Sequence, residues 1–284
     1  MSIVIVTDSA SDIDSELRES LGIVSVPLKV MFGEETYTDG VTITSTMFFE
    51  KLKHAEALPT TSQPSPIDFA EAYKGIRDQH GSDVQIIVLS LSAALSGTYQ
   101  SAVIAQTMME EQLDITVIDT RKASFVYGML VVEAAQAARD GKTKQQILDM
   151  IDRYLDEVQV YFIVDTLEFL QKGGRIGKAS ALIGSLLNIK PILTLDPAGY
   201  VAAYDKVRGT KKAIARVMEA LKEYASGQPV KVAMLHSAVP DQAAEHLASL
   251  KEQFQVTGSY LLEIGPVIGT HVGPGLLGFV MVKE

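Results

Sequence analysis

The sequence predicts an α/β protein of two domains, the first built on a mainly parallel sheet and the second on a mixed sheet. At 284 residues the chain is longer than most single domains. Short apolar runs alternate with helical patterns, which is typical of parallel strands covered by helices on both faces. Further along, the turn sequence Asp196-Pro-Ala-Gly199 separates two adjacent apolar runs, so part of the second sheet is predicted to be antiparallel.

The first domain is predicted to span residues 1–158. Thr44 can cap one of its helices, and Pro66 suits the first turn of the next, which stops at Gly81. The predicted strands are Ile3–Thr7, Ile23–Phe32, Val84–Leu89 and Ile115–Asp119. The predicted helices include Asp12–Leu21, Gly97–Met109 and Val126–Ala138.

An amphipathic helix over Lys144–Val158 leads into the second domain, which is predicted to span residues 159–284. The strands predicted there are Val160–Val164, Pro191–Leu195, Tyr200–Tyr204, Val230–Leu235, Tyr260–Ile264 and Leu277–Val282. A ligand is expected to be enclosed between or within the two domains.

Composition narrows the functional classes. Hydrophobic residues make up 47% of the chain and charged residues 21%, so a full core is expected. The formal net charge of −10 disfavours binding to nucleic acid. No apolar stretch approaches the roughly 18 residues of a membrane span, and the chain starts directly with a strand, so we expect a cytoplasmic protein. Cysteine is absent, which excludes disulfides and thiolate metal sites.

Three loops are rich in hydroxyls and glycines: 59–66, 90–100 and 265–275. In the second, a strand ends in a polar loop that opens a helix, which places Ser96 and Thr98 at a helix N-terminus. Such a position favours a carboxylate or phosphate, whereas simple capping accounts for only one hydroxyl of this loop. His271 lies among glycines in the third loop. It is either a ligand contact or a buried structural histidine.

Motifs that would indicate catalysis are incomplete. Gly273–Gly278 has dinucleotide-binding spacing but precedes a strand, and Gly173–Ala179 is one residue short of a phosphate-binding loop. Hydrolase and zinc-protease signatures are absent, so we expect no catalytic residue, metal or cofactor. Asp8 and Asp12 follow the first strand. They could bind a metal or act as a nucleophile, or they could be structural, with Asp12 as a helix N-cap and Asp8 as a loop hydrogen-bonding residue.

Several segments, in this order along the chain, resemble those of the DegV family. They are Thr7-Asp-Ser-x-Ser-Asp12, Thr61-Ser-Gln-Pro-Ser65, Leu95-Ser-Gly-Thr-Tyr-Gln-Ser-Ala102, Leu170-x-Lys-Gly-Gly-Arg-Ile176, Ile189-Lys-Pro-Ile192 and Gly265-Pro-Val-Ile-Gly-Thr-His271. The resemblance implies a two-domain bacterial protein that encloses one long-chain fatty acid, such as palmitate. It also implies a partner, the catalytic subunit of fatty acid kinase, which would form an acyl phosphate for phospholipid synthesis.

The resemblance also implies roles for individual residues. The residues matching carboxylate-binding positions are Thr61, Ser96, His271 and Arg208, with Ser62, Gly97 and Thr270 as additional loop contacts. Arg175 matches an arginine implicated in docking with the kinase, and its basic surroundings predict an exposed side chain. Family loops often read Leu-Ser-Ser where this chain has Ala93, which removes one hydroxyl near the head group.

The interpretation is a fatty-acid carrier that is not itself an enzyme. The alternative is a stand-alone enzyme acting on a small phosphorylated or acyl substrate through Asp8, Asp12 or Ser96. A third interpretation is a sensor that binds lipid and docks on another protein.

Overall fold

The computed structural model describes residues 2–109, 113–183 and 189–284 and contains three sheets. The first is parallel, with its strands in the spatial order β2 (Val24–Val26), β1 (Ile3–Asp8), β6 (Gln85–Ser90) and β7 (Asp114–Asp119). A small antiparallel sheet has the order β4 (Glu35–Thr38), β3 (Lys29–Phe32) and β5 (Thr60–Ser62). The third is mixed, in the order β10 (Val201–Arg208), β9 (Ile189–Leu195), β8 (Gln159–Ile163), β13 (Leu277–Lys283), β11 (Val230–His236) and β12 (Val256–Glu263).

Ten α-helices connect these strands within the described residues. They are α1 (Ser15–Leu21), α2 (Ser45–Lys53), α3 (Pro66–His80), α4 (Thr98–Met109), α5 (Phe125–Arg139), α6 (Lys144–Glu157), α7 (Glu168–Lys172), α8 (Thr210–Ala225), α9 (Pro240–Gln253) and α10 (Pro266–Val272). Short 3₁₀ helices cover Ser9–Ser11 and Gly177–Leu182.

The elements stack in layers. Helices α3 and α4 cover one face of the parallel sheet, and α8 and α9 cover one face of the mixed sheet. Between the two sheets lie α5 and α6. Eleven of the 15 residues of α5 are buried, as expected for a helix enclosed on all sides. Phe125 of this helix packs against Tyr260 of β12 with a ring-centroid distance of 5.0 Å, so α5 contacts the mixed sheet.

The predicted fold class is confirmed, and the local differences have clear causes. Ile23–Phe32 is not one strand, because Pro27 lacks a backbone N–H and the chain passes there from β2 to β3. Asp12 is not a helix N-cap. It ends the first 3₁₀ helix with a φ of 52°, and Asp14 caps α1 through the backbone N–H groups of Glu16 and Leu17.

The third hydroxyl- and glycine-rich loop contains an unpredicted helix, α10, which starts with Pro266 at its first turn. The helix cap at Thr44, the place of Pro66 in the first turn of α3 and the Asp196–Gly199 turn are confirmed. The predicted domain boundary at residue 158 falls between α6 and β8, and it stays a prediction. In the described part of the chain, no helix is both long and apolar enough to cross a membrane.

Candidate functional site

A cavity lies between the mixed sheet, the loops of the parallel sheet and α10. Its walls are almost entirely apolar, with contributions from Leu28, Leu91, Val126, Val160, Phe162, Leu195, Leu235, Val267, Ile268 and Val272. Such walls favour a long apolar ligand.

One end of the cavity is polar. Thr61 of β5 and His271 of α10 both line it, and Thr61 Oγ1 is 2.9 Å from His271 Nε2. Burial, reinforced by the positive charge of Arg175, lowers the pKa of His271 to about 4. The imidazole is therefore neutral at neutral pH. In the tautomer with hydrogen on Nε2, it donates to Thr61 and leaves the threonine hydroxyl hydrogen free for an acceptor inside the cavity.

Ser96 lines the same cavity just before α4 begins. Its Oγ lies 2.9 Å from Thr98 Oγ1 and accepts a hydrogen bond from the backbone N–H of Thr98 at 3.3 Å. The helix N-terminus that the sequence predicts is thus confirmed at Thr98.

Arg175 is half-buried, and the prediction of an exposed side chain is wrong. Its Nε donates to the carbonyl of Leu95 at 3.0 Å and one terminal nitrogen donates to the carbonyl of Gly173 at 2.7 Å. These bonds hold the guanidinium beside the loop that carries Ser96. Arg175 lines both the cavity and an adjoining surface cleft, so its positive charge lies where the two meet.

The surface cleft shares Thr61, Arg175 and His271 with the cavity and also contacts Lys53 and Lys172. The polar end of the cavity is therefore the end next to a surface that a second molecule can reach.

Gly173 allows the close packing of His271 at this junction. A Cβ atom at Gly173 would lie 2.5 Å from His271 Nδ1 and 2.8 Å from the carbonyl oxygen of Phe169. Both distances are far below van der Waals contact, so only glycine fits without displacing the ring.

The remaining residues implied by the resemblance are placed differently. Ser62 is exposed. Thr270 is buried, and its hydroxyl donates a hydrogen bond to the carbonyl of Pro266. Neither residue lines the cavity. Gly97 packs against the side-chain amide of Gln63, and it too lies outside the cavity lining.

Arg208 is separated from the other three predicted carboxylate contacts. It is exposed at the end of β10 and lines a surface depression with Asp165 and Lys190. The physical reason is the β9–β10 hairpin. Its turn end, at Leu195 and Val201, lines the cavity, and Arg208 lies at the opposite end of the hairpin.

Buried carboxylates form a cluster behind the cavity wall. Asp8 accepts hydrogen bonds from Ala10 N, Ser90 Oγ, Leu91 N and Tyr127 Oη, so its interpretation as a structural hydrogen-bonding residue is confirmed.

Burial raises the pKa of Asp12 well above its ordinary value and that of Asp39 to about 7. Among the described residues, no three histidine or acidic side chains are grouped as a metal ion requires.

The cavity wall includes one further polar residue, Ser124, which the sequence did not single out. Ser124 Oγ donates to Asp12 Oδ2 at 2.5 Å. The available signal was the polar segment Thr120-Arg-Lys-Ala-Ser124, which directly follows β7 at the carboxyl edge of the parallel sheet, where α/β proteins place ligand contacts.

Fold and cavity together define an α/β protein with an apolar interior site that is polar at one end. A family model for the DegV family matches residues 2–284, and the chain belongs to this family. A DegV domain-containing protein of Halalkalibacterium halodurans is 39% identical over 277 residues, which is 97% of this chain and 96% of that protein.

Two solved structures have the same fold. One, described as showing fatty acid binding, is a DegV family protein from Thermus thermophilus with 38% identity, a TM-score of 0.91 and full coverage of both chains. The other is DegV of Bacillus subtilis, described as a fatty acid binding protein, with 35% identity, a TM-score of 0.91 and the same coverage.

Proposed function

We propose that this protein encloses one long-chain fatty acid, with the carboxylate at the polar end of the cavity, and presents it to a separate ATP-dependent fatty acid kinase. The observation that carries the proposal is the apolar cavity whose one polar end adjoins a surface cleft. The fatty-acid binding described for the Thermus thermophilus and Bacillus subtilis relatives supports the same ligand class.

The apolar walls supply most of the affinity. A palmitoyl chain has about fourteen methylenes, and at ~0.8 kcal/mol each their burial contributes about 11 kcal/mol before the cost of ordering the chain. The carboxylate would accept hydrogen bonds from Thr61 and Ser96, while neutral His271 orients the threonine hydroxyl. The positive charge of Arg175 favours the carboxylate at this end of the cavity.

We assign phosphoryl transfer to a partner because the described residues of the site supply polar contacts for a carboxylate. That reaction needs a phosphate cradle, Mg²⁺ ligands and a positioned base. Gly173 ends α7 and packs against His271. The product would be an acyl phosphate, formed in the cytoplasm and used for phospholipid synthesis.

The geometry does not favour the stand-alone enzyme. Asp8 is completely buried, holds four hydrogen-bond donors and lies outside the cavity lining, so it is not placed to attack a substrate. The hydroxyl of Ser96 forms a hydrogen bond with the hydroxyl of Thr98, which is not a general base.

The test is an assay with purified protein, ATP, Mg²⁺ and oleate, with and without the catalytic subunit of a bacterial fatty acid kinase. Acyl phosphate should form only when the kinase is present and should require this protein. Acyl phosphate formed by this protein alone, and lost in Asp8→Asn or Asp12→Asn, would establish the stand-alone enzyme instead.

A further inference from the structure

The cavity has a second polar position, away from the end that would hold the carboxylate. Among the described residues that line the cavity, the polar side chains are Thr61, Ser96, Ser124, Arg175 and His271. All but Ser124 belong to the polar end next to the cleft. Ser124 is 5% exposed, and its hydroxyl contacts Asp12.

The distance between the two polar positions follows from α10. Asp12 Oδ1 lies against Gly265, since a Cβ atom there would be 2.5 Å from that oxygen. Gly265 is the N-cap residue of α10, and His271 follows six residues later. With a rise of 1.5 Å per residue, the Ser124–Asp12 pair is displaced by about 9 Å from His271 along the helix axis. With the carboxylate beside His271, as proposed above, the second position would lie alongside the acyl chain.

The backbone of Ser124 is strained, although its side chain does not cap the helix that follows. Its φ of 58° and ψ of −157° fall in a region that essentially only glycine adopts without strain. Although Ser124 precedes α5, its side chain makes no capping hydrogen bond to the helix. The hydroxyl of Ser124, which lines the cavity, is instead directed to Asp12 behind the wall.

The electrostatics of this position do not favour a carboxylate. Asp12 lies with Asp8 and Asp39 in the buried acidic cluster, and the pKa values of Asp12 and Asp39 are raised mainly by burial and further by the neighbouring carboxyl groups. An anionic head group would be repelled here, whereas Arg175 attracts it at the other end. A neutral polar group is the remaining choice for this part of the wall.

Ser124 offers a hydrogen bond in either protonation state of Asp12. With Asp12 ionised, Ser124 donates to it and Ser124 Oγ can accept from a ligand. With Asp12 protonated, the acid can donate to Ser124, and the serine hydrogen is free for a ligand oxygen. A hydroxyl group both donates and accepts, so it matches both arrangements.

We propose that the cavity accepts acyl chains that carry a hydroxyl group in mid-chain, hydrogen-bonded to Ser124. This inference rests on the proposed fatty-acid binding and extends it to a second ligand class. A hydroxyl buried elsewhere along the apolar walls would lose its hydrogen bonds to water without replacement, which weakens binding by about tenfold or more.

The test is competitive loading. Purified protein is incubated with an equimolar mixture of stearate and one hydroxystearate isomer (9-, 10-, 12- or 18-hydroxy), free lipid is removed, and the bound acids are extracted and quantified by mass spectrometry. The wild-type protein should retain at least one mid-chain isomer within about threefold of stearate, whereas the 18-hydroxy isomer should be retained about tenfold less.

Two variants identify the contact. Ser124→Gly removes the hydroxyl and relieves the backbone strain, and Ser124→Ala removes the hydroxyl alone. Both should lower the ratio of the retained isomer to stearate by about tenfold. Ser90→Ala is the matched control, because Ser90 donates to Asp8 in the same acidic cluster but does not line the cavity.

The outcomes separate the two proposals. If stearate loads but every hydroxylated isomer is excluded, or if the Ser124 variants keep the wild-type ratio, the hydroxyl site is wrong and fatty-acid binding stands. If neither stearate nor any isomer loads, the proposed function fails and the hydroxyl site fails with it.

Discussion

Replacing Thr61 with valine tests the polar end of the cavity directly. Valine keeps the shape of threonine but cannot form a hydrogen bond with a carboxylate or with His271 Nε2, which lies 2.9 Å from the threonine hydroxyl. Hydrogen bonds to charged groups contribute about 1.5–3 kcal/mol, so the affinity for a fatty acid should fall by roughly 10- to 150-fold.

The variant should still bind lipid, because about 11 kcal/mol of chain burial is unaffected. The carboxylate would lose its fixed position, so acyl phosphate formation with the kinase should fall further than occupancy does. His271 would lose a buried partner, and the free energy of unfolding should drop by about 1–3 kcal/mol.

The assays are competition binding, kinase-coupled acyl phosphate formation and chemical denaturation. Thr60→Val is the control for binding and stability, because Thr60 is the exposed neighbour in the same strand and does not line the cavity. Wild-type affinity and wild-type phosphorylation in Thr61→Val would refute the placement of the carboxylate.

Three further changes test other parts of the site. Gly173→Ala should displace His271 and weaken fatty-acid binding, whereas Gly75→Ala, with open space around it on α3, should stabilise the protein by about 0.5–1 kcal/mol in denaturation. Equal effects would contradict the close packing at Gly173. Burial raises the pKa of Asp39 in the folded protein to about 7. The wild-type protein is therefore most stable with respect to this group below pH 3.8, and it loses that stability as the pH rises through 7. The stability of Asp39→Asn relative to wild type should therefore increase between about pH 4 and 7, by on the order of 4 kcal/mol, and stay level above pH 8; a flat difference would contradict the buried, ionising carboxyl. Arg175→Ala should lower both fatty-acid affinity and kinase-coupled turnover, and a loss of turnover alone would make Arg175 purely a docking residue.

The sequence predicted the parallel sheet well because its strands are continuous apolar runs. Ile3–Asp8 and Gln85–Ser90 are buried on both faces, and this pattern is visible without a structure. The small antiparallel sheet was missed for the converse reason. Its strands Glu35–Thr38 and Thr60–Ser62 are short, polar and largely exposed, so no apolar alternation marks them.

The candidate site was predictable where a residue's position depends on local structure. Ser96 lies between a strand end and a helix start, and His271 lies in a glycine-rich segment. Arg208 and Arg175 were misplaced because their environments depend on long-range packing. The direction of the β9–β10 hairpin carries Arg208 away from the cavity, and the carbonyl of Leu95, 80 residues away in sequence, draws Arg175 inward.

Burial of Asp39 and the strained backbone of Ser124 likewise depend on distant contacts. Asp39 is buried against Ser9, which donates to it at 2.7 Å, and Ser124 is held by Asp12, 112 residues away in sequence. Neither pairing has a sequence spacing that would reveal it.

The central claim is that the apolar cavity holds a fatty acid, and mass spectrometry of the purified protein tests it most directly. An interior with these walls is unfavourable to fill with water, so a bound lipid should survive purification. Solvent extraction should release close to one equivalent of a C14–C18 fatty acid, and native mass spectrometry should show the matching mass increase. Protein that carries no lipid and takes up no added palmitate would contradict the account.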